Sequence, residues 1–508
     1  MRFYRLSILF FVFFLGIVSL LEAQKATFFF SFSEGNHSWH TTDAIETFSG
    51  DFVISAYDTW SDESVLLKLS SEGEILSKTI IVAEDTAIYA YGLIRVQNEN
   101  SCEYGLLCPS HPRNSSTAAL LFVRFDENLN ITYRRAIPCA FFGDGNSFFD
   151  AEFLLLDTYI FGALTSKQSN SPNSIFLTKF DLDGNLLECQ KWERDSLSSV
   201  CNLFHVEEDK IGLFGRFTPS HMGFLAFNDS LQLISRDSIS QWTNPEGGVG
   251  DFCLYHIGDM VNSQAAMLPD GSHLVSARLS ENLFHPNGYP YKNDQSVILA
   301  KYENGFHQPD NMFVTEHMND SVEYPAFHRS MDFRETAEMK CEVFQCSILN
   351  EFPQFGLQQP FPTGISVIKA DQNLNVEWKR RYLRDGNYQA MVINATADGG
   401  CLVVGSIGDY QAQRFDVFAL KINADGTVGL DEVQEEDAAF VYPNPAKEII
   451  RIGGVEAKET MVYNSLGQCV MSFRGNEANV EDLSAGVYLL RITNCDGLMQ
   501  TLCLVIDK

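Results

Sequence analysis

The sequence predicts an all-β protein in which a large β-propeller is followed by a small C-terminal β-sandwich. A strand that often ends in a basic residue recurs along most of the chain, and each copy leads into a turn rich in Asp, Asn and Gly. Helical periodicity is nearly absent. Beyond residue 438 the repeat gives way to short alternating strands of a different pattern, which indicates a second domain.

The recurring strand has seven copies, which predicts seven blades. From Lys68 to Lys421 is 353 residues over six intervals, about 59 residues a repeat, a period typical of propellers and solenoids. Six copies carry the basic residue and the fourth lacks it. The copies occupy residues 65–69, 121–125, 175–180, 223–227, 297–302, 366–370 and 417–422.

A preceding strand and a following turn complete each repeat. Gly or Asn in the turn supplies a positive φ, and the Asp side chain can bond its own backbone. The turn from Asp181 to Asn185 resembles a calcium loop, but it lacks the further ligands, so we predict a hairpin. The clearest preceding strands are 51–56, 211–215, 273–277 and 401–405, and the clearest turns are 70–73, 181–185, 371–375 and 423–426.

A single repeat cannot bury both faces of its sheet, so the copies must pack on one another. Radial packing of four-stranded blades leaves only short, protected edges, which favours a propeller over residues 24–430. An array of β-sandwiches is the structural alternative. The strand-turn-strand phrase over residues 40–430 resembles the propeller repeats of exported bacterial proteins.

The net charge argues against two classes of partner. The chain of 508 residues has a net charge of −30 and a pI near 4.6, so its average surface repels phosphates and anionic lipid headgroups. We therefore expect neither nucleic acid nor a membrane surface as a partner.

The first 23 residues have the pattern of a secretory signal peptide. Arg2 and Arg5 precede an apolar run from Leu6 to Leu21, and cleavage is predicted between Ala23 and Gln24. An N-terminal membrane anchor is the alternative, although the run is shorter than the roughly 20 residues of a spanning helix. No later segment is apolar enough for a transmembrane helix, so none is predicted in the mature chain.

All 12 cysteines lie in the mature chain, and an exported protein meets an oxidising compartment. No C-x-x-C pair is present, which weakens a zinc or redox hypothesis. Most of the thiols could equally be small buried hydrophobic groups, so the disulfide connectivity stays open. Three close pairs could form disulfides: Cys102 with Cys108, Cys341 with Cys346, and Cys495 with Cys503.

An acidic linker at residues 431–437 precedes a module at residues 438–508. The module consists of short alternating strands separated by turns, which predicts a small immunoglobulin-like β-sandwich. Its sequence markers, in order, are Tyr442, Pro443, Asn444, Pro445, Gly467, Leu483, Gly486, Tyr488 and Lys508.

These markers resemble the C-terminal sorting domain of cargo of the Bacteroidetes type IX (Por) secretion system, in its type A form. The resemblance implies that the translocon and sorting machinery are partners, and that the protein passes through the periplasm. It also implies release or attachment to the outer cell surface, commonly after removal of the module. The basic residue often found before the last strand is absent, with Gln500 and Thr501 there instead. A sandwich domain that stays attached is the alternative.

Five triplets of Asp, Ser or Thr, and an apolar residue are similar to the O-glycosylation acceptors of Bacteroidetes. Such short patterns also arise by chance. The candidate acceptors are Thr86, Ser196, Ser230, Ser238 and Ser321.

No catalytic, phosphate-binding or metal-binding motif is present in the sequence, so we predict no catalytic residue, no cofactor and no metal ligand. Six of the 11 histidines fall between His256 and His328, where a site is conceivable, but loop histidines are usually solvated. Aromatic residues in the same region could stack on ligands or pack the loops. The residues concerned are His285, His307, His317 and His328, with Tyr289, Tyr291, Tyr302, Phe306, Phe313, Tyr324, Phe327 and Phe333.

Two functions of different classes follow. The favoured one is a non-catalytic binding module for a glycan or protein, and the alternative is a carbohydrate-active hydrolase or lyase with acidic residues at the central funnel. Paired carboxyl groups with raised pKa values in the funnel would favour the enzyme, whereas small or apolar residues would favour binding.

Overall fold

The computed structural model shows an all-β protein. It describes residues 27–507 except 36, 83–85, 91, 99–100, 113–118, 138–146, 157, 169–170, 193–198, 208–209, 219–220, 240–241, 244–248, 253–255, 258–259, 262, 285–289, 304, 306–308, 316–321, 351–362, 383–385, 410–413, 429–438, 465–467 and 495–498. Every regular element within these ranges is a β-strand. Across the same ranges the structure contains no helical segment with the length and apolarity of a membrane crossing.

The first four sheets follow one another along the chain and are antiparallel. The first contains β2 (Trp39–Glu46), β3 (Phe52–Asp58), β4 (Ser64–Leu69) and β5 (Ile75–Ile81). The second contains β6 (Thr86–Ile88), β7 (Gly92–Asn98), β8 (Ser101–Pro112), β9 (Ala119–Phe125) and β10 (Ile131–Ile137). The third contains β11 (Ser147–Leu156), β12 (Tyr159–Gln168), β13 (Ser171–Asp181) and β14 (Leu186–Trp192). The fourth contains β15 (Ser199–Glu207), β16 (Lys210–Thr218), β17 (His221–Asn228) and β18 (Leu233–Ser238).

Three further sheets follow. The fifth contains β19 (Trp242–Thr243), β20 (Val249–Phe252), β23 (Gln264–Met267), β24 (His273–Phe284), β25 (Pro290–Tyr302) and β26 (Asn311–Val314), and β21 (His256–Ile257) pairs separately with β22 (Met260–Val261). The sixth contains β27 (Val322–Pro325), β28 (Met331–Glu335), β29 (Cys341–Asn350), β30 (Gly364–Asp371) and β31 (Val376–Tyr382). The seventh contains β32 (Tyr388–Ala395), β33 (Cys401–Asp409) and β34 (Arg414–Ile422), and it is completed by β1 (Phe28–Phe32).

These sheets close into a ring, which makes this part of the chain a β-propeller. Each sheet contacts the next one along the chain, and β2 of the first sheet contacts β32, β33 and β34 of the last. The N-terminal strand β1 pairs antiparallel with β34, from Phe28 opposite Lys421 to Phe32 opposite Val417, so the two ends of the ring share one sheet. Several sheets adjoin residues outside the described set, and the blade number of seven stays a prediction.

The hydrophobic core is divided into layers between neighbouring sheets. Val53 of the first sheet packs with Leu106 of the second, and Phe214 of the fourth packs with Val275 of the fifth. A larger layer joins the sixth, seventh and first sheets and includes Phe418. Each layer has its own buried side chains, so the ring can exceed the usual size of a single core.

The turns at 70–73, 181–185 and 371–375 are hairpins, as predicted. Asp181 Oδ1 accepts hydrogen bonds from the backbone N–H groups of Asp183 and Asn185, at 3.0 and 2.8 Å, and Asn185 Nδ2 donates to Asp181 Oδ2 at 2.6 Å. The carboxylate thus caps its own turn, and Gly184 takes the positive φ of 70° that the turn needs.

The basic residues of the first three copies of the repeat connect one sheet to the next. Lys68 Nζ donates to the Glu127 carbonyl oxygen at 3.1 Å, and Arg124 Nη1 donates to Asp183 Oδ1 at 2.7 Å. Lys179 Nζ donates to the backbone oxygen of the corresponding turn in the fourth sheet at 2.9 Å. These residues therefore have a structural role between blades.

The C-terminal module is a β-sandwich of two antiparallel sheets around one apolar core, which includes Ile450, Val462, Leu490 and Leu504. One sheet contains β35 (Phe440–Tyr442), β36 (Ile449–Gly453) and β39 (Glu477–Asn479). The other contains β37 (Ala457–Tyr463), β38 (Cys469–Phe473), β40 (Gly486–Asn494) and β41 (Met499–Ile506).

Two of the three suggested disulfides are wrong. Cys108, Cys341 and Cys346 are free thiols, because each suggested pair lies along a single strand. At about 3.3 Å of rise per residue, partners five or six positions apart are beyond disulfide reach. Cys346 is fully buried, in agreement with the alternative of a small hydrophobic group. In the third pair, Cys495 lies outside the described residues.

Candidate functional site

Polar side chains link neighbouring sheets near the ring axis. They lie on the innermost strands of the sheets, which include β2, β15, β23, β28 and β32. Each bonds the backbone of the next sheet, and we call them the axial clamps. Asp43 Oδ2 accepts from Leu93 N at 3.2 Å, Asn202 Oδ1 from Ala265 N at 2.9 Å, Gln264 Oε1 from Met331 N at 3.0 Å and Asp332 Oδ2 from Ala395 N at 2.8 Å, and Asn394 Nδ2 donates to Ala44 O at 2.9 Å.

The sequence analysis did not identify the axial clamps. Each is a polar residue in a strand that mixes polar and apolar residues, which is also the pattern of an exposed position. The one available sign was the recurrence of Asp, Asn or Gln directly before an apolar residue, as in Asp43-Ala44, Asn202-Leu203 and Gln264-Ala265.

A cavity of about 80 Å³ lies among the innermost strands, with Asp43, Glu152, His328 and Arg329 in its wall. We call it the axial cavity. Arg329 Nη2 donates to Asp43 Oδ1 at 2.7 Å, and Arg329 Nη1 donates to Asn394 Oδ1. The guanidinium therefore joins the loop before β28 to the first and seventh sheets.

Burial controls the electrostatics of this cavity. It raises the pKa of Asp43, and also that of Asp332, which interacts with Arg329 but does not line the cavity, and Arg329 opposes both shifts. It also lowers the pKa of His328 to about 4, with a further contribution from Arg329, so this imidazole is neutral at physiological pH. Burial disfavours the charge on Arg329, but the adjacent carboxylates Asp43, Asp332 and Glu152 raise its pKa overall.

The carboxyl oxygens of Asp43 and Asp332 are already engaged. Asp43 Oδ1 accepts from Ala44 N at 2.8 Å as well as from Arg329, and its Oδ2 is the clamp to the second sheet. Asp332 Oδ1 accepts from Phe333 N at 2.9 Å, and its Oδ2 is the clamp to the seventh sheet. These two groups have raised pKa values, yet their contacts assign them to the assembly of the ring.

A wider concavity of about 950 Å³ lies along β11, β15, β23 and β28, and it shares β11 with the axial cavity. We call it the turn-side funnel, because the β23–β24 turn forms part of its wall. Leu154, Val206, Met267 and Phe333 contribute half-buried apolar side chains. The remaining wall includes Asn202, Phe204, His205, Gln264, Asp270 and His273.

The floor of the funnel is a packed aromatic group. The rings of Phe204 and His273 meet edge to face at 6.0 Å between centroids, and Phe204 meets Phe224 in the same way at 5.9 Å. Gly212 makes room for this packing, since a Cβ there would lie 2.3 Å from Phe204 Cζ. Burial lowers the pKa of His273.

The described histidines and aromatic residues of the 256–333 region lie in different places, and Phe333 lines the turn-side funnel. His328 lies in the wall of the axial cavity rather than in a solvated loop. Tyr302, Tyr324 and Phe327 are buried, so they pack the structure. His285, His307, His317, Tyr289 and Phe306 lie outside the described residues, and nothing is described of the Tyr291 side chain. Among the described residues, no group of three or more His, Cys, Asp or Glu side chains could hold a metal ion.

The candidate glycosylation residues differ in position. Ser230 is exposed in the β17–β18 turn, and Ser238 is exposed at the end of β18. Thr86 lies in β6, and its side chain is not described. Ser196, Ser321 and the predicted cleavage site at Ala23 and Gln24 lie outside the described residues.

The markers of the C-terminal module converge on the end of the last strand. Asn444 Oδ1 accepts from Val505 N at 2.8 Å, Ala446 N donates to Val505 O at 2.8 Å, and Asp507 N donates to Ala446 O at 2.9 Å. The segment that contains Pro443 and Pro445 is thereby tied to the chain end.

A second group of markers lies at the same end of the sandwich. Gly486 pairs with Ile506 at the start of β40. The Tyr488 hydroxyl donates to Ser484 O at 2.8 Å, and Leu483 packs on the core. Gly467 and Lys508 lie outside the described residues.

Comparison with known proteins identifies this module. Residues 440–506 match the family model described as the secretion system C-terminal sorting domain. The search of curated proteins found no match.

Solved structures similar to the chain include propellers. The Dos1 propeller is 11% identical, with a TM-score of 0.42, and the alignment covers 77% of this chain and 80% of that one. The WD40 domain of SCAP from fission yeast is 8% identical, with a TM-score of 0.36 and coverage of 78% and 98%. The ring closure itself establishes the fold.

Proposed function

We propose that the propeller is a non-catalytic binding module that the type IX secretion system delivers to the cell surface or the medium, with a glycan or protein as ligand. The C-terminal sorting domain indicates a cargo of that system. The observation that carries the binding role is the difference between the engaged carboxylates of Asp43 and Asp332 and the open, largely apolar turn-side funnel. Catalysis by a carboxyl pair needs a free acid and a free base.

The route and domain boundaries belong to the same proposal. A signal peptide at residues 1–23 directs the chain to the periplasm, and residues 24–430 fold as the propeller. An acidic linker at 431–437 joins it to the sorting domain at 438–508. The contacts that tie Asn444 and Ala446 to the end of β41 support the idea that the sorting machinery reads this end as one unit.

The export proposal is tested by fractionation of a Bacteroidetes host with and without its translocon. We expect the protein at the surface or in the medium of the first strain and in the periplasm of the second, and we expect truncation at residue 437 to give the same periplasmic retention. Delivery to the surface in the absence of the translocon would contradict the proposal.

The binding proposal is tested with the full secreted chain on glycan and protein arrays, in parallel with a panel of polysaccharides as substrates. We expect capture of a ligand and no cleavage. Cleavage that is lost in Glu152→Gln would instead establish the hydrolase or lyase, because Glu152 lies in the wall of the axial cavity.

O-glycosylation at the Asp-Ser-apolar triplets is also proposed. Exposure of Ser230 and Ser238 makes both side chains accessible to a transferase. Intact mass measurement of the exported chain should show the added mass of a glycan, and this added mass should be lost in Ser230→Ala or Ser238→Ala. If both variants keep the whole added mass, these two sites are excluded.

A further inference from the structure

We infer that the turn-side funnel binds a peptide segment in which a large apolar side chain is flanked by basic residues. The inference rests on the proposed binding function and specifies the ligand. Leu154, Val206, Met267 and Phe333 come from four neighbouring sheets and leave part of their apolar surface uncovered in one concavity. The volume of about 950 Å³ falls in the range of ligand sites.

The polar groups of the funnel are largely used within the protein. Asn202 binds Ala265 through both ends of its amide, and Gln264 Oε1 accepts from Met331 N. Asp270 accepts from Ser272 N at 2.9 Å. A glycan needs several available donors and acceptors, whereas an apolar side chain gains by covering the surface that remains.

Charge in and beside the funnel wall selects basic flanking residues, because Asp270 lines the funnel and Lys301 links it to Glu303. Lys301 Nζ lies 3.2 Å from Asp270 Oδ2 and 3.3 Å from Glu303 Oε1. The lysine side chain is only 3% exposed, while those of Asp270 and Glu303 are 42% and 53% exposed. The two carboxylates are therefore exposed to solvent, whereas the ammonium group between them is covered. The net charge of −30 adds a general attraction for cations.

The test uses the full secreted chain and three capped heptapeptides with fluorescent labels. The first has the sequence Gly-Lys-Gly-Phe-Gly-Lys-Gly, the second has Ser in place of Phe, and the third has Glu in place of both Lys. Fluorescence anisotropy should show binding of the first peptide and at least about tenfold weaker binding of the other two. The affinity of the first peptide should also fall as salt is raised.

A pair of variants locates the site. Met267→Lys places a positive charge in the funnel, which opposes both the apolar side chain and the basic flanking residues, and should weaken the first peptide at least about tenfold. Met339→Lys is the matched control, because Met339 is 80% exposed in the β28–β29 turn and does not line the funnel, so its affinity should equal that of the parent chain. The peptide series needs no variant, so it decides the question even if Met267→Lys fails to fold.

Three results would overturn the inference: equal binding of the three peptides, no binding of any of them, or equal loss of affinity in both variants. Capture of a glycan or a folded protein on the arrays would still support the proposed binding function in each case. Failure of the peptide inference can therefore be distinguished from failure of the proposed binding function.

Discussion

The axial cavity and the turn-side funnel both lie along innermost strands of the ring and share β11, yet they use polarity in opposite ways. In and beside the axial cavity, carboxylates, an imidazole and a guanidinium are brought together, and the described contacts of Asp43 and Asp332 occupy each of their oxygens. In the funnel, Val206 and Met267 remain partly uncovered while the nearby amides are satisfied. Charged groups in a channel are therefore evidence of function only when their bonding capacity is still available.

The substitution Arg329→Met, at the axial cavity, should lower the stability of the protein more than any other change considered below. It removes the hydrogen bonds to Asp43 and Asn394 and leaves two carboxyl groups without their counter-charge. Loss of one partner of a buried pair costs 3–5 kcal/mol, and because the Arg329 side chain is 29% exposed we expect about 3 kcal/mol. Denaturant unfolding measures this loss, and Arg474→Met at an exposed position is the control.

The cost of Arg329→Met should depend on pH. The pKa values of Asp43 and Asp332 are already raised in the folded state, and removal of Arg329 raises them further. A raised folded pKa means that the native state binds more protons than the unfolded state, so stability falls as pH rises above about 4. The variant should therefore lose more stability at pH 8 than at pH 5. An equal loss at both pH values would show that the axial carboxylates do not depend on Arg329.

Two glycines, one in each region, give a second test. A Cβ at Gly92, in the wall of the axial cavity, would lie 2.3 Å from the Phe153 ring, whereas a Cβ at Gly271, in the wall of the funnel, meets no atom within 4 Å. Gly92→Ala should cost about 2 kcal/mol by overpacking. Gly271→Ala should cost about 1 kcal/mol, from its φ of 83° alone. A larger loss at Gly271 than at Gly92, measured by thermal unfolding, would contradict this difference in packing between the two walls.

Local features were predictable from sequence and contacts between sheets were not. The hairpin at Asp181 depends on residues within four positions, so its pattern is visible in the sequence. The recurrence of Lys68 and Lys179 was also visible, but their partners lie in the turn of another sheet. Arg329 lies between two strands, outside any repeated phrase, and nothing in its neighbourhood identifies Asp43 as a partner 286 positions away. The markers of the sorting domain were recognisable, whereas the contact of Asn444 with Val505 required the fold.

The rim of the funnel should show the opposite pH dependence to the axis. Burial opposes the charge of Asp270, but hydrogen bonds from Ser272 and Lys301 lower its pKa overall. A lowered folded pKa means that the stabilisation is present above the unfolded pKa of about 4 and is lost as pH falls through the folded value. Because Asp270 is 42% exposed, Asp270→Asn should cost less than about 1 kcal/mol at pH 7, and the cost should shrink as pH falls below about 4. A cost that grows on acidification would contradict this sign.

The smallest effect is expected at His205, an exposed residue in the funnel wall. His205→Ala should change the free energy of unfolding by no more than about 0.5 kcal/mol, since exposed positions contribute little to stability. The same substitution at His328 should cost about 1–2 kcal/mol, because it empties part of a packed cavity wall. Parallel urea titrations of both variants measure the difference. A loss at His205 as large as that at His328 would mean that the funnel wall, like the axis, serves the assembly of the ring, and the case for a ligand there would fail with it.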